Sequence, residues 1–358
     1  MSFVPLSIKD YLHQLYKKAE CKEHQLLYLF LEITRICNLA CKHCGSDCSS
    51  NIEFNALTTD SWIKILEDIS ISFSPKPAIV LTGGEPLLHS KFSQIIQKLR
   101  ELHFRWGIVS NGYDLEDRIL ETMLLNDIYS ITISLDGKEN SHNWLRGKQD
   151  SYRKAINAIS IVSKSKVLQR DVVTCVNPRN IDELDEIAKV LIENGACAWR
   201  LFRIFPAGRA KGNSELLLSI PETRKMIDWI SDRKDDLKKG GLNLSLSCEG
   251  WLPFATEVKV RNQPFLCRSG INIASILCDG TITGCSNNSK LFFEGNILTD
   301  NLASKWINGF QSFRNRKWIH TSSCGKCTDL NKCQGSSIHL WRENLKTPEF
   351  CYMDCFKE

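Results

Sequence analysis

Four cysteines, Cys37, Cys41, Cys44 and Cys48, fall within twelve positions of the segment EITRICNLACKHCGSDCSS. Their spacing is C-x3-C-x2-C-x3-C. Thiolate is a soft ligand that suits zinc or iron–sulfur clusters. Zinc is usually held by pairs, one C-x2-C with a distant second pair. Three thiols within eight residues of one loop wrap a single object instead, which fits three corners of a [4Fe–4S] cube. Three ligands leave one iron open for chemistry. Two other readings stand beside this one. Cys48 closes the cube and makes an electron-transfer centre, or the loop holds zinc.

A second field of thiols lies near the C-terminus: Cys248, Cys267, Cys278, Cys285, Cys324, Cys327, Cys333, Cys351 and Cys355. Between residues 49 and 247 only Cys175 and Cys197 occur, and with Cys21 the chain has sixteen cysteines. The first twenty residues lack a secretory h-region and cleavage site, which places the chain in the cytoplasm. There disulfides are rare and thiol-rich sequences more often bind metal. The 46 basic and 41 acidic residues leave a net charge of +5, mixed rather than segregated. Nucleic-acid binding does not follow from it. The apolar run LLYLFLEI at 26–33 is far too short to span a bilayer.

These residues must be positioned by the surrounding elements. Apolar runs at 26–34, 78–82, 106–110, 128–134, 170–176 and 199–204 read as strands. Amphipathic stretches at 58–70, 91–103, 151–164 and 180–195 read as helices between them, the first capped by Thr59 or Asp60. Repeated β–α units imply a parallel sheet, either open and doubly wound or an incomplete barrel. In both, chemistry sits at the C-terminal ends of the strands, and Cys37 follows the first strand. The expected layout is an N-terminal arm or helix over 1–25, a barrel over 26–215, a connecting helical segment over 216–244 and a cysteine-rich module over 245–358. Short strands and dense cysteine suggest that the last is held by metal rather than by a broad core.

The C-x3-C-x2-C loop resembles the signature of the radical SAM superfamily, although His43 stands where that family usually has an aromatic residue. Further segments recur in the family's order. LTGGEPLL at 81–88 resembles its GGEP loop (Gly83, Gly84, Glu85, Pro86). VSNGY at 109–113 supplies Ser110 and Asn111, and ISLDG at 133–137 supplies Ser134 and Asp136. HNWLRG at 142–147 supplies Arg146, and CVNPRN supplies Asn177. The resemblance covers about residues 28 to 210. It implies an α/β fold, a partial (β/α)6 TIM-like barrel. It also implies a [4Fe–4S] cluster on Cys37, Cys41 and Cys44 whose open iron binds S-adenosylmethionine (SAM). The residues just named are then expected to touch SAM, with Gly83 and Gly84 letting backbone approach the ligand and Arg146 pairing with its carboxylate. In WRLFRIFPAGRAKGN at 199–213, Arg200, Arg203 and Arg209 read as a solvated edge. Arg203 is also a candidate for the SAM carboxylate or an anionic substrate. Cys48 becomes surplus or a local packing residue, and Cys21, Cys175 and Cys197 read as small hydrophobes.

The second field resembles a SPASM domain, from Cys267 through Gly280 to Cys285, then Cys324-x2-Cys327-x5-Cys333, then Cys351. Such domains carry auxiliary iron–sulfur clusters, so one or two are expected here. Ser337 stands where the pattern has a cysteine, so the first auxiliary cluster needs another ligand, has an open iron, or is a smaller [2Fe–2S] core. Cys248 and Cys278 are the candidate substitutes, with Cys248 favoured. Cys324, Cys327, Cys333 and Cys351 (rather than Cys355) are expected to hold the second cluster.

The resemblance implies reductive cleavage of SAM to a 5′-deoxyadenosyl radical, fed by a flavodoxin- or ferredoxin-type one-electron reductant. It also implies a peptide or protein substrate, modified by crosslinking, oxidation or epimerisation. No leader-peptide-binding domain is read at the N-terminus. The rival functions are a radical SAM dehydrogenase of a small molecule such as a sugar alcohol, an iron–sulfur electron carrier, and a zinc-binding interaction protein.

Overall fold

The computed structural model describes residues 4–50, 56–342 and 344–357. Six parallel strands form where the apolar runs predict them. They are β1 (Tyr28–Thr34), β2 (Ala78–Gly83), β3 (Trp106–Ser110), β4 (Ser130–Ser134), β5 (Gln169–Val176) and β6 (Ala198–Arg203). Helices Thr59–Ser72, Phe92–Glu101, Ser151–Lys164 and Leu184–Glu193 intervene. Thr58, one residue before the expected cap, accepts the Ser61 N–H at 3.1 Å and starts the first of these helices.

The segment expected to be a helical connection holds the helix Ile220–Lys239, whose Ser219 and Glu222 form a capping box. It then runs into β7 (Asn243–Leu246), parallel to β6. From the cysteine-rich region, β8 (Ile273–Ile276) pairs parallel with the opposite edge, β1. Antiparallel β9 (Thr281–Thr283) and β10 (Phe293–Asn296) follow it. One ten-stranded sheet results, ordered β10-β9-β8-β1-β2-β3-β4-β5-β6-β7. Its edges do not pair with each other, so the barrel is open.

The C-terminal region is therefore not held by thiols alone. Phe265, Ala274, Ile276, Phe292, Phe310, Phe313 and Trp341 are buried in the same apolar cluster as the barrel residues Leu31, Leu81 and Ile131. The expectation of a metal-held module without a broad core fails for a simple reason. These apolar residues come from short irregular elements, whose burial has no readable period. The N-terminal helix, Leu6–Glu23, docks on this region. Lys17 donates to the Lys332 carbonyl at 2.6 Å, and Lys332 pairs with Asp10. Among the described residues, no helix is long and apolar enough to cross a membrane.

Alternation along the strands decides what faces inward. Ile131 and Ile133 of β4, Val172 and Val176 of β5, and Trp199 and Leu201 of β6 belong to the buried cluster shared with the helices. Trp199 meets Trp229 of the helix Ile220–Lys239 edge-on. The opposite face carries Phe30, Val80, Val109, Val173, Cys175, Arg200 and Phe202, all only partly buried. Partly buried residues on the inner face leave the barrel interior, the chamber, less tightly filled than the helix side.

Candidate metal and cofactor site

The cysteine loop leaves β1 and is built largely by backbone contacts. Cys37 N–H donates to Ser49 O at 3.0 Å, closing the loop at its base. Ala40 and Lys42 N–H groups donate to the carbonyls of Arg146 and Leu145. Arg209 clamps the far side. Its Nε donates to Cys41 O at 2.7 Å, and its Nη1 donates to Cys48 O at 2.8 Å and Asp47 Oδ1 at 3.0 Å. Cys37 and Cys41 are buried, and Cys44 is half-buried. Burial pushes the Cys37 thiol up to about 11. A bound cation reverses such a penalty by deprotonating the thiol outright.

Cys48 points at the Cys44 sulfur. Its N–H lies 3.3 Å from Cys44 Sγ and its thiol also hydrogen-bonds that atom, which draws Cys44 down to about 5 and pushes Cys48 up. Donors aimed at a ligand sulfur belong to the surroundings of a metal site and tune its ligand.

The glycines of the GGEP segment make close approaches, but to protein. A Cβ on Gly83 would sit 2.1 Å from Thr34 O, and one on Gly84 would sit 2.3 Å from Ile36 O. Gly84 and Glu85 N–H groups donate to Thr34 and Ile36 carbonyls at 2.8 and 2.9 Å. The pair of glycines thus presses β2 against the chain that enters the cysteine loop. Glu85 is fully buried and accepts from Asn111 N–H at 2.8 Å, Ser110 Oγ at 3.0 Å and Leu87 N–H at 3.3 Å. Burial raises its carboxyl to about 7 against those donors. Pro86 begins a short turn of helix. Asn111 reaches back, its Nδ2 lying 2.9 Å from Asn38 Oδ1 and 3.8 Å from Cys37 Sγ.

On the other side of the loop, Arg146 is not free for a ligand carboxylate. Its Nε and Nη2 grip Asp136 Oδ2 at 2.6 and 2.5 Å, and its Nη1 lies 3.7 Å from Cys41 Sγ. Burial works against the Asp136 charge, but Arg146 and two nearby histidines hold the carboxyl below its ordinary value. Asp136 Oδ1 accepts the Cys175 N–H at 2.7 Å. His43 and the Cys175 thiol complete a trio with Asp136 whose ligand-type atoms lie within 4.8 Å of one another. Asn177 is taken up locally, donating to Cys175 O and accepting from Arg179 N–H. Ser134 ends β4 on the inner face. Arg203 is two residues beyond Leu201, in phase with Trp199 and Leu201, and so lies on the helix side of β6. It donates to Leu218 O at 3.1 Å and stacks 3.8 Å above the Phe350 ring.

The C-terminal thiols gather in two sets. Cys248 and Cys267 both act electrostatically on Cys285, and burial with their help pushes that thiol up to about 12. Cys248 is exposed, and burial by the surrounding protein, with Cys267, still pushes its thiol up. Ser337 is fully buried beside it, and its Oγ donates to Cys248 O at 2.9 Å. In the second set, burial, then Cys351 and Cys324, push Cys333 up to about 12. Cys327 acts on Cys324. Cys278 instead lies near Glu32 and Arg35, by the base of the first loop. The donor chemistry fits iron–sulfur centres in each place: three thiols on the first loop, three with Ser337 adjacent, and four in the last set.

Residues 31–191 match the family model described as the Radical SAM superfamily. The chain carries a radical SAM domain. It is 24% identical over 327 residues to the AdoMet-dependent heme synthase of Nitratidesulfovibrio vulgaris, covering 85% of each chain. It is 26% identical over 315 residues to the mycofactocin maturase MftC of Mycolicibacterium smegmatis, covering 86% of this chain and 76% of the relative. Its fold resembles that of Streptococcus suis SuiB bound to its precursor peptide SuiA. The TM-score is 0.70 at 16% identity, over 95% of this chain and 80% of SuiB. The radical SAM family uses a [4Fe–4S] cluster and SAM, and the matched residues contain Cys37, Cys41 and Cys44.

Sequence reasoning missed three features. Arg209, read as a solvated edge, clamps the cysteine loop. Cys48 serves the Cys44 sulfur. Arg200 lies on the inner wall with Asp171. The PAGRA segment was the only signal for the first, and nothing in the pattern flagged the other two.

Proposed function

We propose that the protein is a peptide- or protein-modifying radical SAM enzyme. The observation that carries this reading is the placement of the three-thiol loop at the C-terminal end of β1, on the rim of the barrel, with further thiols grouped in the C-terminal region of the same fold. When bound, the cluster and SAM supply a 5′-deoxyadenosyl radical that removes hydrogen from an unactivated carbon. Cys37, Cys41 and Cys44 would hold that cluster. Asn111, Arg146 and the Cys48 N–H present donors to its sulfur ligands, which lowers the cost of charge there. Glu85 and Asp136 hold those donors in place. Ser134, at the end of β4, has no side-chain hydrogen bond among the described residues and is a candidate to touch SAM.

Cys248, Cys267 and Cys285 would hold the first auxiliary centre, with Ser337 as a buried neighbour. Cys324, Cys327, Cys333 and Cys351 would hold the second. An external one-electron carrier of flavodoxin or ferredoxin type would supply electrons. The peptide class is supported by the name of the relative MftC, a maturase, and by the precursor peptide bound to SuiB. The heme synthase relatives favour a second reading, a tetrapyrrole-type substrate.

The test is anaerobic reconstitution with counting of iron and sulfide, then an assay for 5′-deoxyadenosine with SAM and dithionite. The Cys37/Cys41/Cys44→Ala variant should lose that product and only part of its iron. Iron without SAM cleavage would point to an electron carrier, and zinc without sulfide to an interaction module.

A further inference from the structure

We propose that Arg200 anchors a carboxylate of the substrate on the inner wall of the barrel. The proposal rests on the peptide-modifying reading and names the chemistry that the chamber recognises.

Arg200 lies on the inner face of β6, opposite the helix-packed Trp199 and Leu201. Its Nε donates to Asp171 Oδ2 at 2.5 Å. Asp171 stands on the inner face of β5, and its other oxygen accepts Thr132 Oγ1 at 2.6 Å from β4. Both carboxylate oxygens are thereby used, and three adjacent strands fix the plane of the guanidinium. Its two terminal amino groups have no hydrogen-bond partner among the described residues. The side chain is 42% exposed and that of Asp171 21%. β6 is flanked by β5 and the edge strand β7 and is covered on its other face, so that exposure is on the chamber side of the sheet. Arg200 also acts on the Cys248 thiol, so its charge lies towards the first auxiliary set.

Here one edge of the guanidinium is held and the other presented. The terminal amino groups of arginine match the two oxygens of a carboxylate, and a held fork loses less entropy on binding. Half-buried Val173 and Phe202 beside it limit water, which strengthens such a contact. An acidic side chain and a peptide C-terminus offer the same group, so the experiment must separate them.

The probes are three N-acetyl hexapeptide libraries made from perdeuterated amino acids, with no Asp or Glu at randomised positions. One has a fixed Glu and a C-terminal amide. The second has Gln and an amide. The third has Gln and a free C-terminal carboxylate. Each is incubated with reconstituted enzyme, SAM and dithionite, and deuterium in 5′-deoxyadenosine is measured by mass. Label enters only if the radical takes hydrogen from the peptide. For the wild type, transfer from one acid library should exceed that from the Gln amide by about 10- to 100-fold, the worth of a charge-assisted hydrogen bond. Which library it is identifies the source. Arg200→Gln should lose that excess while keeping the wild-type iron and sulfide count and unfolding midpoint, which shows that it is folded and loaded. Arg200→Lys, which keeps charge but not the fork, should fall between. Equal transfer from all three libraries, or an undiminished excess in Arg200→Gln, overturns the anchor and leaves the peptide reading standing. Unlabelled product with no transfer from any library overturns the peptide reading, and the anchor with it.

Discussion

Replacing Gly84 by alanine tests whether the GGEP segment positions the cysteine loop. The added Cβ would lie 2.3 Å from Ile36 O, 2.7 Å from Ile36 C and 2.9 Å from Arg35 C. All three are backbone atoms, so no side chain can swing aside, and the chain one residue before Cys37 must move. Overpacking of this kind costs about 1–3 kcal/mol. The shift also strains the Gly84–Thr34 and Glu85–Ile36 hydrogen bonds, each worth about 1 kcal/mol. Together the loss is about 2–5 kcal/mol. Urea unfolding of the metal-free protein measures it, and iron per chain after reconstitution reports the loop. Gly84→Ala should be destabilised by that amount and lose iron, while the iron of the C-terminal thiol sets remains. Gly45→Ala is the control within the same loop. Its Cβ meets nothing nearer than 3.9 Å, so its stability should stay within about 0.5 kcal/mol of wild type. Wild-type stability and full iron in Gly84→Ala would refute the reasoning.

Asp136→Asn leaves Arg146 buried without its counter-charge and should cost about 3–5 kcal/mol in denaturant unfolding; a loss below 1 kcal/mol would mean that the pair is solvated. Glu85 carries a carboxyl raised from 4.5 to about 7, so the folded state binds its proton more tightly than the unfolded chain. Wild-type stability relative to Glu85→Gln should therefore fall by about 3 kcal/mol as pH rises from 4.5 to 7. Parallel stability–pH curves would show that the group is not shifted. Ser337→Ala removes one buried hydrogen bond to Cys248 O and should lower stability by about 1–2 kcal/mol without changing the iron count; lost iron would make the hydroxyl a ligand.

Much of the site was legible because its signal is local. Cys37, Cys41 and Cys44 share one loop, and their spacing is fixed by chain geometry. The six strands were legible because each is an apolar run between helix-forming stretches. What those motif residues touch was not. Gly83 and Gly84 were expected to let backbone approach a ligand, and their close packing on Thr34 and Ile36 was not legible. Arg146 was expected to hold a carboxylate of SAM, yet it holds that of Asp136. Residue type gives the charge or the absence of a side chain, but the partner comes from another strand end.

The sequence by itself determined the chemistry available, which is thiols at cluster spacing on the rim of a parallel α/β sheet. Tertiary structure alone decided that β7 and β8 extend the barrel sheet from both sides and that the cysteine-rich region shares its core. It also decided that Arg200 faces the chamber while Arg203 faces the helices. The physical reason is that strand pairing and burial depend on contacts between residues distant in sequence. A one-residue step along β6 turns a side chain from one face of the sheet to the other.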